Sequence, residues 1–166
     1  MRSFLLLIAQ ALLLYIGLVA AQTYTVTNNC PSAIGPGQSV VKTGLGTFAG
    51  FFYTTTHSAG RPVGELARAG FYFEPNYWYY YLVKDPDFLN TGISITPDQP
   101  VNGPFCTVAA CETVDCNTAY TSPPVFHGPV PPPPDMIPVP PVYQCKVPGT
   151  NFRITFCPSG NWPRRR

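Results

Sequence analysis

An all-β, disulfide-stapled domain is the architecture this sequence predicts, and three observations predict it. Short runs rich in aromatic and β-branched residues are broken repeatedly by Gly and Pro. Six cysteines all lie beyond an apolar leader. No window carries a sustained helical period; the best is a single turn near residues 65–69.

The chain opens Met1-Arg2-Ser3 and runs apolar from Phe4 to Ala21, interrupted by Gln10 and Tyr15. One positive charge, an apolar stretch and the small residues of Val19-Ala20-Ala21 have the form of a secretory signal peptide over residues 1–21, cut after Ala21. The rival reading is an uncleaved anchor, because the run approaches the ~18 residues of a spanning helix. No basic cluster follows Ala21 and the next residues alternate as a strand does, which favours cleavage and leaves no membrane span in the mature chain. In an exported chain the cysteines at positions 30, 106, 111, 116, 145 and 157 read as three disulfides. A zinc site wants close pairs such as C-x-x-C with histidine; here the cluster is spaced by four residues, and His57 and His127 are the only histidines. Spacing alone leaves the pairing open.

The mature chain has the length of one domain, residues 22–163, followed by a basic tail at 164–166. Charged residues are 11% and aromatics 14%. The net charge of +2 misleads, because Arg2 and the tail Arg164-Arg165-Arg166 carry it; between them six Lys/Arg face eight Asp/Glu. Without a basic face to neutralise phosphates, nucleic acid is excluded as a partner. No cofactor or metal is expected, and the chain is expected to act as a monomer.

The elements follow in order. Residues 22–28 place Tyr24 and Val26 on one face and Thr23, Thr25 and Thr27 on the other, the pattern of a half-buried strand. Strands follow at 48–55, 71–73, 77–83 and 91–96, bounded by Pro75, Pro86 and Pro97. Residues 123–142 are half proline and read as a stiff extended surface loop held between Cys116 and Cys145. The last strand, 152–156, is apolar at alternate positions. Several short strands with regular turns mean a sandwich or a barrel.

Thr25-Val26-Thr27-Asn28-Asn29-Cys30-Pro31 resembles the first strand of thaumatin-like proteins, and residues 145–158, closing on Phe156-Cys157-Pro158, resemble the end of that family. Residues 82–97 resemble its central segment, in which an Asp precedes a Phe and a Ser-rich strand. The whole is similar to small secreted fungal members. The resemblance implies a thaumatin-like antiparallel β-sandwich and the pairs Cys30–Cys157, Cys106–Cys145 and Cys111–Cys116. Residues 33–43 are short for the second strand it implies, and the larger members' cysteine-rich lobe is missing.

The resemblance also implies a ligand, β-glucan or another cell-wall polysaccharide, bound or slowly cleaved in an acidic cleft. By position the acids are Asp85 or Asp87, with Glu74 as a looser candidate; Thr118 stands where the family has a later Asp. A glycosidase needs two opposed carboxyls, which Glu74 with Asp85 or Asp87 would supply, whereas Asp85-Pro86-Asp87 also reads as an ordinary solvated turn. In the aromatic run 71–81, a strand at 77–81 puts Tyr77, Tyr79 and Tyr81 on one face. Left exposed, that face would stack on sugar rings; covered, it is a second packing layer. The readings carried forward are a non-enzymatic polysaccharide-binding protein, a slow β-1,3-glucanase, and an extracellular defence or protein-interaction scaffold. Gly44-Leu45-Gly46-Thr47-Phe48-Ala49 has the letters of a dinucleotide loop but leads into an aromatic strand rather than a helix.

Overall fold

Among the described residues, nine strands form: β1 (Thr23–Asn28), β2 (Gln38–Thr43), β3 (Gly50–Tyr53), β4 (Arg68–Glu74), β5 (Tyr77–Val83), β6 (Ile93–Pro97), β7 (Ala109–Cys111), β8 (Val142–Cys145) and β9 (Phe152–Phe156). The only helical element among those residues is a 3-10 turn at Val63–Glu65, just ahead of the turn expected near 65–69. The computed structural model describes residues 22–31, 38–43, 45, 48–74, 77–98, 106–124, 141–147 and 149–163. Residues 1–21, where a signal peptide is expected, most of the proline-rich segment and residues 164–166 lie outside the described residues.

The strands make two sheets, one of five in the order β2-β1-β9-β6-β7 and one of four in the order β3-β4-β5-β8. All pairs within them are antiparallel except β1–β9, which is parallel and pairs Tyr24 with Phe152 and Val26 with Ile154. The expectation of an antiparallel sandwich is corrected at that pair. Parallel neighbours end at the same edge of a sheet, so Cys30 just past β1 can reach Cys157 just past β9. An antiparallel pair would hold those cysteines at opposite edges.

Alternation decides which side chains enter the space between the sheets. From the five-stranded sheet come Tyr24, Phe152, Ile154, Phe156, Ile93, Ile95 and Ala109; from the four-stranded sheet come Ala69, Phe71, Tyr80, Leu82 and Tyr143. The Tyr24 ring lies 5.0–5.9 Å from the rings of Phe48, Phe52, Phe71 and Phe152, edge-on, tilted or stacked. A phenol buried this deeply needs a hydrogen-bond partner. Tyr24 donates to Oε1 of Gln22 at 2.7 Å, and the Gln22 amide donates in turn to the Thr150 carbonyl at 3.0 Å.

β2 is a full six-residue strand, longer than the sequence of 33–43 implies. It is open on both faces: Val40 is 55% exposed and Val41 56% exposed.

All six cysteines are bridged, as Cys30–Cys157, Cys106–Cys145 and Cys111–Cys116. Three disulfides and no free thiol belong to an oxidising compartment. No helix among the described residues is long and apolar enough to cross a membrane.

Gly70 of β4 is paired with Tyr81 of β5, and the tyrosine ring lies over the bare glycine, where an added Cβ would strike it. Gly70→Ala is therefore expected to cost about 1–3 kcal/mol through displacement of the ring, measured as a lowered urea midpoint. An unchanged midpoint would show that the ring does not need this seat.

Candidate ligand-binding grooves

The acids and tyrosines singled out in the sequence do not assemble into one site. Glu74 ends β4 opposite Tyr77, and Asp85 lies beyond Val83, at the other end of β5. At a rise of about 3.3 Å per residue, that strand holds the two positions roughly 20 Å apart. Two carboxyls acting on one glycosidic bond must lie within about 5–10 Å. The pairing of Glu74 with Asp85 or Asp87 is therefore corrected: the acids are close in sequence, but an extended strand separates them. The side chains of Glu74 and Tyr77 lie outside the described residues.

Asp85 is engaged locally. One of its oxygens accepts the Asp87 backbone N–H at 2.9 Å, and the other lies 3.6 Å from the Arg61 guanidinium. Arg61 also pairs with Glu65 at 3.0 Å and lies 4.3 Å over the Phe88 ring. Asp87 is exposed. This is the polar turn that Asp and Pro favour for backbone reasons.

Tyr79 and Tyr81 do occupy the outer face of β5, opposite Tyr80 and Leu82, but that face is covered. Tyr79 is 0% exposed and Tyr81 is 4% exposed, so their assignment as an open sugar-stacking platform is corrected. The Gln144 amide of β8 donates to the Tyr79 hydroxyl at 2.6 Å. The Tyr81 ring meets Phe51 of β3 and Tyr120 edge-on at 6.1 and 6.0 Å. Tyr120 is held there because its N–H donates to Leu82 O and its carbonyl accepts from the Lys84 N–H. Arg68 completes this outer layer with its guanidinium 5.0 Å over Phe51. Burial pushes the Tyr81 phenol up to about 12, with neighbouring Arg68 opposing and Tyr120 adding to the rise.

An aromatic side chain that does line an open groove is Trp162. It shares a groove of about 500 Å³ with Pro31, Glu112, Thr113, Ser159 and Asn161. Each of these follows closely on a bridged cysteine: Pro31 on Cys30, Glu112 and Thr113 on Cys111, and Ser159, Asn161 and Trp162 on Cys157. Two disulfides thus fix all three walls. The Trp162 indole N–H donates to the Pro31 carbonyl at 3.2 Å, and His57 stacks on one indole face at 3.7 Å between ring centres. One oxygen of Glu112 accepts the Ser159 N–H at 3.1 Å, and Asn161 donates to the Ser159 carbonyl at 3.1 Å. The groove thus combines an aromatic wall with a carboxylate, an amide and hydroxyls, the groups that meet the apolar face and the hydroxyl rim of a pyranose. Nothing in the local sequence of Trp162 marks it; the signal was its nearness to Cys157.

A second groove, of about 560 Å³, lies at the opposite end of the five-stranded sheet and is lined by residues of β1, β6 and β9 and the turns beside them. Among the described residues no three of His, Cys, Asp and Glu gather as metal ligands. No family model matches this chain, and no curated protein matches it.

Proposed function

We propose that this chain is a secreted, non-enzymatic polysaccharide-binding protein of thaumatin-like type, acting in the extracellular medium or at a cell wall. The family part of this reading is supported by the two terminal segments and by a two-sheet domain whose first and last cysteines are joined. The binding part rests on one observation: Trp162 stands in an open groove beside Glu112 and Asn161, on walls held by Cys30–Cys157 and Cys111–Cys116. Rigid walls lower the ordering cost of binding. The separation of Glu74 from Asp85 favours binding without cleavage.

The test is retention of the mature, oxidised protein on insoluble β-1,3-glucan, chitin and cellulose, with released sugar assayed in parallel. Retention on at least one matrix without released sugar is expected. Trp162→Ala should weaken it about tenfold, the worth of one stacked ring, with thermal unfolding recorded to show that the variant is folded. Released sugar would replace the binding reading with hydrolysis. No retention on any matrix would sink it in favour of a protein-interaction scaffold.

A further inference from the structure

We infer that the groove at the other end of the five-stranded sheet is a second binding site, for the carboxylate of an acidic sugar, centred on Arg153. β9 lies in the middle of that sheet. Its Phe152 and Ile154 point into the core, so Arg153 points out and is exposed. The strand register sets Thr25 of β1 on one side of Arg153 and Thr96 of β6 on the other. Adjacent strands are spaced about 4.8 Å apart, so Arg153 stands between two threonines in a single row across three strands.

Arg153 has no ion pair among the described residues, unlike Arg61, which pairs with Glu65 and Asp85. The nearest acid in the groove is Asp98, and its oxygens are turned elsewhere. They accept the Asn151 backbone N–H at 2.9 Å and the Asn151 side-chain N–H at 2.7 Å, while Oδ1 of the Asn151 side chain accepts the Thr23 N–H at 2.8 Å. This clamp closes the end of the sheet and leaves the guanidinium to an external anion.

Charge and shape together choose that anion. The planar fork of Arg matches a carboxylate through two parallel hydrogen bonds. The threonine hydroxyls beside it suit the ring hydroxyls of a uronate. The acidic side chain of Asp98 at the groove's end disfavours a doubly charged group such as a phosphate monoester. The domain as a whole is slightly acidic, so a non-specific basic surface does not account for anion binding. The site lies a full strand length from Trp162 and does not depend on the reading of that groove.

The experiment is affinity electrophoresis of the mature protein through gels containing polygalacturonate, dextran sulfate or neutral dextran. Polygalacturonate is expected to retard the wild type selectively, Arg153→Ala to weaken that retardation at least tenfold, and Arg153→Lys to restore only part of it. Trp162→Ala should leave it unchanged. Because Arg153 is exposed, its variants should unfold at the wild-type temperature, and Arg153→Gln serves as a second neutral variant of similar length. Equal retardation by dextran sulfate, no retardation by polygalacturonate, or full retardation of Arg153→Ala would each overturn the assignment. Loss of insoluble-glucan retention in Trp162→Ala with polygalacturonate binding intact would separate the two sites.

Discussion

Replacing Cys30 and Cys157 together by serine is expected to lower unfolding stability by about 5 kcal/mol, a loss comparable with the whole stability of many small domains. The bridge spans 127 residues of sequence, and in the loop-entropy account long closures restrict the unfolded chain most. The Cys111–Cys116 bridge spans only 5, and its removal should cost about 2 kcal/mol by the same account. The larger loss also has a structural side. The first bridge ties the ends of β1 and β9 at the point where the Asn29 N–H donates to the Phe156 carbonyl and the Cys157 N–H donates to the Gly92 carbonyl. Pro31 and Trp162 diverge from that junction, so the groove between them should lose its shape along with the bridge. Urea titration of the two double variants gives the comparison. Equal losses from both, or a larger loss from the short bridge, would refute the entropic ordering.

How much of this was legible in the sequence depends on whether an element is held by its own alternation or by distant partners. β1 and β9 were legible because their residues alternate and one face of each enters the core, and β5 because it is a dense run of aromatic and branched residues. β2 was obscured because Val40 and Val41 point to opposite faces and both are exposed, so no buried face imposed a pattern. β7 is three residues long, and β8 follows the proline-rich loop in a stretch whose composition masks it. Tyr79 and Tyr81 were legible as one face of a strand, but their burial was not. Phe51, Tyr120 and Gln144, which cover them, come from three separate segments. Glu74 and Asp85 misled in the other direction, since an extended strand carries sequence neighbours apart. Trp162 resembles a frayed end until Cys157 is tied to Cys30, after which it belongs to a wall.

Alkaline unfolding should begin near pH 10 and be driven chiefly by the three buried phenols whose pKa values are raised most. Burial raises the pKa of Tyr24 well above the ordinary tyrosine value. It does the same at Tyr80, where a backbone hydrogen bond at Thr107 opposes the rise and neighbouring Tyr143 adds to it. Tyr81 is pushed up to about 12. In the unfolded chain all three ionise near pH ~10. Below that value both states hold their protons and stability is flat. Above it the unfolded chain releases protons that the folded one keeps, so stability falls as pH rises. By pH ~11 each ring should contribute a loss of about 1.4 kcal/mol, or about 4 kcal/mol in all. Tyr81 stops adding to the loss once its own folded-state pKa is passed. Urea midpoints at successive pH values, with tyrosinate absorbance followed alongside, test this directly. Tyr81→Phe keeps the ring over Gly70 and should flatten the fall above pH ~10 by roughly a third. A fall that begins well below that pH would assign the transition to other groups. Flat midpoints accompanied by full tyrosinate absorbance would mean that the phenols ionise in place, so that the layer over β5 admits water without opening.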